Sequence, residues 1–278
     1  MPFLTEAEPR RGVATEVVSG VRRIVARNPG ALTYHGTNTY LVDLPDGVAV
    51  VDPGPDDAVH VAETVAAAGR PITLILLTHT HVDHVGALAA LQAATRAPVA
   101  AWRQPSLTGF RPDIALDDGV AVGGITALHT PGHAADHVCF AMSAADGRAV
   151  LFSADHVMSW STSIVSPPDG HMGAYVRSLD RLLARADDLY LPGHGPPLAA
   201  SLDLVRELRA HRLGREAAIA EALRRRAVAS IPELTADVYV GLAAHLMPMA
   251  ERNVLAHLLK LAEEGRVERD GVAWRALS

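Results

Sequence analysis

The feature that most constrains this chain is the run Thr78-His79-Thr80-His81-Val82-Asp83-His84, placed directly after the apolar stretch Ile72-Thr73-Leu74-Ile75-Leu76-Leu77. In an extended chain, residues two apart point to the same side. His79 and His81 can therefore reach one metal ion at the mouth of a buried strand. A turn into a helix just afterwards would swing Asp83 and His84 toward a second ion nearby. Histidine and carboxylate donors suit zinc first, with manganese and iron as alternatives. Packing alone gives little reason to place four such side chains within six residues.

Three further residues sit in similar places. His133 lies in Thr130-Pro131-Gly132-His133, after the β-rich segment 125–129. Asp155 follows the apolar run Ala149-Val150-Leu151-Phe152, and His194 lies in Leu191-Pro192-Gly193-His194-Gly195. Each falls where a strand meets a turn, and loops held by a rigid sheet are where site residues concentrate. A lone histidine after Pro-Gly is usually a turn residue. The weight of His133 and His194 comes from the first cluster.

These four segments resemble, in order and spacing, the metallo-β-lactamase-fold hydrolases, over residues 20 to 200 or so. The resemblance implies an αββα sandwich and a site with two metal ions. His79, His81 and His133 would hold one ion, Asp83, His84 and His194 the other, and Asp155 would bridge both. The segments Gly36-Thr37-Asn38-Thr39-Tyr40-Leu41-Val42 and Val51-Asp52-Pro53-Gly54-Pro55, with a C-terminal extension, look like the beta-lactamase-like protein 2 group. Many founding β-lactamases carry Cys where this chain has Asp155. A bridging carboxylate is instead the pattern of glyoxalase II, lactonases and the metal-dependent ribonucleases of the superfamily, so antibiotic hydrolysis is at most a weak or promiscuous activity.

Length and composition agree with a globular enzyme. A chain of 278 residues, 49% hydrophobic and with mean hydropathy +0.15, can bury a sizeable core in one large domain or two. No apolar stretch approaches the roughly 18 residues of a membrane span, and residues 1–11 lack the apolar core of a signal peptide. Cys139 is the single cysteine, in the apolar run 138–142, which excludes an internal disulfide and reads as an inert buried thiol. The cytoplasm is the expected compartment, and no membrane partner is expected. A net charge of −6, with Lys260 the only lysine, offers no broad basic field for nucleic acid.

Short Val- and Ile-rich runs at 21–26, 39–43, 48–51, 72–77, 98–102, 120–128, 137–142, 149–152 and 188–191 read as strands. Stretches 56–68, 85–95 and 173–186 read as helices, which places an α/β protein of two sheets between helix layers. A weak duplication relates Tyr40–Asp52 to Phe140–Asp155, each a strand, an Asp-Gly turn, a strand and an Asp. It sets Asp52 level with Asp155, either as a group orienting ligands from behind or as a brace for the Pro53-Gly54 turn.

Residues 1–200 thus read as the catalytic domain and 201–278 as a smaller C-terminal unit. Ser201 would cap a long helix, 235–246 a second, and a third, with Pro248 in its first turn, would end near Gly265 before a hairpin at Asp270-Gly271. This order resembles a winged-helix subdomain, with few basic residues on its third helix. Its expected role is to buttress the catalytic domain and narrow the cleft. Arg206, Arg209, Arg212 and Arg215, three apart on the long helix, suggest a drifting basic stripe, of the kind that is usually a solvated face.

The implied chemistry is hydrolysis by a hydroxide shared between two cations, with Asp83 as a ligand that also helps transfer a proton. No Ser-His-Asp nucleophile elbow is evident. The expected substrate is a small ester, thioester or lactone, and a single-stranded-RNA endoribonuclease is the alternative. The loop 159–171 after Asp155 would wall the cleft, with Trp160 as an apolar contact, His171 as a spare acid or base, and Asn38 at the pocket edge.

Overall fold

Val- and Ile-rich runs bounded by Gly, Pro and Asp form two stacked sheets. The computed structural model describes residues 3–199 and 202–277. The first sheet contains β1 (Thr15–Val18), β2 (Val21–Val25), β3 (Asn38–Leu44), β4 (Gly47–Val51), β5 (Ile72–Leu76), β6 (Val99–Trp102) and β7 (Ile114–Leu116), adjacent in chain order. From β4 to β7 the strands are parallel. The second sheet contains β8 (Ala121–Val122), β9 (Ile125–His129), β10 (Val138–Ser143), β11 (Ala149–Ala154), β12 (Leu189–Pro192) and β13 (Leu198–Ala199), in the order β13-β12-β11-β10-β9-β8.

Helices α1 (Ala58–Ala68), α2 (Val82–Val85) and α3 (Leu88–Thr95) are associated with the first sheet, while α4 (Met172–Leu183) and α5 (Leu202–Arg226) cover the second. The two-residue period of the strands divides their side chains between layers. Tyr40, Val42, Leu74 and Leu76 meet Phe140, Phe152 and Leu191 between the sheets. Leu41, Val50 and Ile75 face Val61, Leu88 and Leu91 on the outer side. Leu151 and Tyr190 face Tyr175, Leu179 and Leu208. The result is the expected αββα sandwich.

Residues 120–128 form two strands, because Gly123 and Gly124, both at positive φ, turn the chain between β8 and β9. The duplication is present as two units, each an antiparallel hairpin followed by a parallel strand: β3-β4-β5 and β10-β11-β12. Counting from the hairpin ends, Leu44 opposite Gly47 and Ser143 opposite Ala149, Asp52 is level with Ala154 and not with Asp155. Both residues adopt a left-handed backbone, φ 53 and 44. The turn residue of one unit is thus one step before the site carboxylate of the other.

In the C-terminal unit β14 (Val228–Ser230), α6 (Ile231–Val238), α7 (Met247–Glu263), β15 (Val267–Asp270) and β16 (Ala273–Ala276) follow in turn, with sheet order β14-β16-β15. The second helix starts earlier than the 235–246 expected. Ser230 and Glu233 form a reciprocal cap, with Pro in the first turn, and the helix ends at Val238 with Tyr239 as its C-cap. Ser201, the expected cap of α5, lies outside the described residues. Leu204, Val205 and Leu208 of α5 belong to the sandwich core, whereas Ile219, Ala222 and Leu223 pack with Val254, Leu258 and Trp274. One helix therefore joins two cores. Among the described residues no helix is long and apolar enough to cross a membrane.

Candidate metal centre

The site begins where β5 ends. Asp52, just beyond the neighbouring strand β4, accepts from Thr78 N at 2.8 Å and from Thr78 Oγ1 at 2.7 Å. Its Oδ2 also accepts from His84 Nδ1 at 2.8 Å. Asp52 thus braces the turn and holds a histidine ring at once, and the two roles offered by the sequence coexist. The short helix α2 carries Asp83 and His84 round toward the same rim.

Three imidazoles converge first. His81 Nδ1 lies 3.1 Å from His79 Nε2 and 2.9 Å from His133 Nε2. The far nitrogen of each ring is committed elsewhere. His79 Nδ1 meets Thr78 Oγ1 at 3.0 Å, His133 Nδ1 donates to Ile164 O at 2.7 Å, and His81 Nε2 donates to Asp169 Oδ2 at 3.2 Å. The Thr78 hydroxyl hydrogen goes to Asp52, so its oxygen is left to accept from His79. The three inward nitrogens then present lone pairs to one point, an arrangement that repels itself unless a cation or protons occupy it.

A second group lies alongside. His194 Nε2 is 3.2 Å from Asp83 Oδ2 and 3.4 Å from Asp155 Oδ2, and His84 Nε2 is 3.6 Å from both Asp83 Oδ2 and Asp155 Oδ1. Asp155 Oδ2 is also 3.5 Å from His133 Nε2, so this carboxylate stands between the two groups. Asp155 Oδ1 and His84 Nε2 are buried without a hydrogen-bond partner. Leaving such atoms unpaired costs about 1–3 kcal/mol each. A cation among these donors removes that cost, so the donor set fits divalent metal. The seven residues named from the sequence form three overlapping sets able to hold an ion: His79, His81 and His133; His79, His84 and Asp155; Asp83, His84 and His194.

The electrostatics show the same demand. Burial pushes the His133 imidazole down to about 4 and His79 well below its usual range. Asp155 is held far below the ordinary carboxylate range: burial opposes this, but His194 and His84 prevail. Conversely, burial would lower His194, yet the Asp155 and Asp83 carboxylates raise it to about 9, and His84 is raised by Asp83, Asp155 and Asp52 against burial. Without metal, protons on His84 and His194 balance the buried carboxylates.

Close packing accounts for one glycine. A Cβ on Gly193 would stand 2.3 Å from Asp155 Oδ1 and 2.8 Å from His84 Cε1, so the backbone must pass there without a side chain.

The other named residues divide. Asn38 is 1% exposed and does not edge the pocket. Its amide donates to Pro192 O and Gly195 O, both at 2.8 Å, and so pins the turn that carries His194. His171 is no spare acid or base: Nδ1 caps α4 by accepting from Ala174 N, and Nε2 meets Glu263 at 2.8 Å. Trp160 stacks on Tyr34 with ring centroids 5.1 Å apart and lies over Gly195, beside the His194 turn. The basic stripe does not exist. Nine residues turn a helix by about two and a half turns, which puts Arg206 and Arg215 on opposite faces. Arg206 pairs with Asp203, Arg209 with Asp180, Arg215 lies over the Tyr239 ring, and Arg212 is fully buried. Sequence reasoning missed Asp169 and Ile164, the outer partners of His81 and His133. The Pro-rich loop around them carried no signal that separates them from their neighbours.

Comparison with known proteins identifies the family. The metallo-beta-lactamase superfamily matches residues 32–101, and the beta-lactamase associated winged helix domain matches residues 230–274. A beta-lactamase-like protein 2 homolog of Caenorhabditis elegans is 31% identical over 280 residues, covering 96% of this chain and 91% of its own. The chain belongs to the metallo-beta-lactamase superfamily. Within the superfamily it resembles an atrochrysone carboxyl ACP thioesterase of Passalora fulva, 30% identical across 89% of this chain and 77% of that protein. A crystal structure of a beta-lactamase domain protein from Burkholderia ambifaria superposes with TM-score 0.80 at 25% identity, over 98% of this chain and 96% of the other. The protein is a metallo-beta-lactamase-fold hydrolase with the associated winged helix domain.

Proposed function

We propose that the protein is a two-metal hydrolase of small ester-type substrates, with thioesters first. The supporting observation is the convergence of five imidazole nitrogens and two carboxylates whose outward atoms are largely taken by other partners. In this reading His79, His81 and His133 hold one divalent ion, Asp83, His84 and His194 the other, and Asp155 spans both. Zinc suits such donors best, followed by iron and manganese. When bound, such a pair lowers the pKa of a shared water and polarises a scissile carbonyl.

The chain's own residues do the rest. Asp155 is buried and fixed, which suits a bridging role, whereas the Asp83 side chain is 25% exposed at the rim. Asp83 can therefore exchange a proton with a leaving group and with solvent. The Tyr34–Trp160 stack supplies an apolar wall on which an acyl group can lie. The thioesterase-named relative supports a thioester, and the acyl-carbon chemistry also admits esters and lactones. The RNA alternative finds no track in the arginines of α5. A screen of metal-loaded protein against acyl thioesters, esters, lactones and single-stranded RNA tests the proposal. Thioester turnover that disappears with chelator is expected. RNA cleavage without any ester or thioester turnover refutes it.

A further inference from the structure

The winged-helix module touches the site through one segment, and the route can be followed atom by atom. Residues 163–169 lie between the metal centre and α7. On the inner side Ile164 O holds His133 Nδ1 at 2.7 Å and Asp169 Oδ2 holds His81 Nε2 at 3.2 Å. Two of the three histidines of the first group thus take their outer hydrogen bond from this one segment. Just beyond it, His171 N donates to Gly132 O at 2.8 Å, next to His133 itself.

At its far end the segment is tied to the catalytic domain, where Asp169 Oδ1 accepts from Ser106 Oγ at 2.8 Å and Ala135 N at 3.1 Å; towards the C-terminal unit it makes a separate set of polar contacts. Arg252 of α7 donates from Nε to Ser166 Oγ and from Nη2 to Pro167 O, the latter at 2.6 Å. Arg212 of α5 donates to Ser163 O, and Glu263 of α7 meets His171. Two cavities adjoin the segment, one of about 450 Å³ lined by Pro168, Leu255 and Leu259, the other of about 430 Å³ lined by Ile164, Pro248, Met249 and Arg252. Val165 anchors the middle of the segment in the core beside Tyr175 and Leu179, while the stretch Ser166-Pro167 beyond it is tied to α7 by the exposed Arg252 guanidinium as a strut.

We propose that Arg252 is a positioning residue for the first metal subsite, through which the winged-helix module sets the orientation and tautomer of His133 foremost, and of His81 to a lesser degree. A ring whose far N–H is held by a fixed acceptor presents its other nitrogen as a lone pair in one direction. If residues 164–167 shift, His133 loses its Ile164 O acceptor directly, whereas Asp169, held also by Ser106 Oγ at 2.8 Å and Ala135 N at 3.1 Å, keeps more of its hold on His81. His84 and His194 take their outer hydrogen bonds from Asp52 and Gly36 O instead, so the second subsite is independent of the strut. The proposal rests on the reading of His79, His81 and His133 as a metal subsite.

The test uses the full chain with Arg252→Ala and Arg252→Lys, and His133→Ala alongside. Cobalt(II) is titrated against a competing chelator, with its visible absorption followed so that each subsite has its own signature. Arg252→Ala should weaken one of the two ions on the order of tenfold, the size typical for loss of an outer partner of a ligand. The affected band should be the one abolished in His133→Ala, and the other ion should stay within twofold. Arg252→Lys should recover part of the loss, since an ammonium can reach one of the two acceptors. Thermal unfolding of the metal-free variant should match the parent. If Arg252→Ala leaves both ions unchanged while His133→Ala loses one, the strut is refuted and the metal subsite stands. If both ions weaken equally, Arg252 has a general structural role and the proposal fails. If His133→Ala itself binds two ions normally, the subsite reading falls and the strut with it.

Discussion

Asp52→Asn tests how far the metal centre depends on a residue outside its donor set. The carboxylate of Asp52 accepts three hydrogen bonds, from Thr78 N, Thr78 Oγ1 and His84 Nδ1. An amide of the same shape can accept at only one of its two positions. If its NH2 takes the place of Oδ2, it faces His84 Nδ1–H, and the ring must move its proton to Nε2, the atom aimed at Asp83 and Asp155. If the amide flips, the NH2 faces Thr78 N–H, leaving a buried donor unpaired at about 1–3 kcal/mol. The second outcome costs stability and the first costs metal. Loss of an outer partner typically lowers metal affinity about 10–100-fold, or about 1.4–2.7 kcal/mol. The second subsite should take this loss directly through His84. The first should lose less, since Asp52 reaches His79 only through the Thr78 hydroxyl. Chelator competition monitored by cobalt absorption, together with thermal unfolding of the metal-free protein, separates the two. If both metal constants and the unfolding temperature remain at parental values, Asp52 does not orient the site.

Three other outcomes follow from the same geometry. Gly193→Ala forces a methyl group against Asp155 Oδ1 and His84 Cε1. The purified variant should hold about one metal equivalent fewer than the parent by elemental analysis, and full retention would contradict the close approach. In the metal-free protein His84 and His194 are raised, His194 to about 9, so both carry protons at pH 7 that metal must displace. Apparent affinity should therefore climb with pH, with His194 contributing to the rise until about 9. Calorimetry in buffers of different ionisation enthalpy should show at least two protons released at pH 7, one from each ring, and release of less than one would refute the assignment. The sign for folding is the reverse. These raised histidines stabilise the metal-free fold fully below their unfolded pKa of about 6.5; the His194 contribution fades as pH rises through about 9, and that of His84 as pH rises through its own raised pKa. Finally, burial pushes the Cys139 thiol up to about 12. A disulfide reagent at pH 8 should leave it untouched in the folded chain and modify one thiol after denaturation; rapid labelling of the native protein would show the thiol to be accessible.

The part of the site that was legible in the sequence was legible for a specific reason. Four donors in six residues behind an apolar run have almost no use except a shared ligand, and the strand-end positions of His133, Asp155 and His194 place them on the same rim. Where a polar residue has several ordinary uses, spacing did not separate them. Asn38 and His171 stand in the right neighbourhood, but Asn38 holds a turn more than 150 residues away, and His171 caps the helix that starts beside it while its other nitrogen meets Glu263, 92 residues on. The arginines of α5 fail on geometry available from the start. A three-residue period drifts about 60° per step on a helix, so four such residues cannot share a face.

The same limit explains why the C-terminal module reads as a bland buttress in sequence and as something more specific in structure. Its helices and hairpin are local patterns, visible through caps and periodicity. Its consequence for the site is carried by Arg252, 86 residues from Ser166, and by backbone carbonyls that have no sequence signature at all. A carbonyl such as Ile164 O can orient a metal-facing imidazole whatever side chain stands there. What matters is that the segment be held, and Arg212 of α5 and Arg252 of α7 help to hold it. The winged-helix module is therefore best understood by what it keeps still, which places the control of His81 and His133 partly outside the domain that contains them.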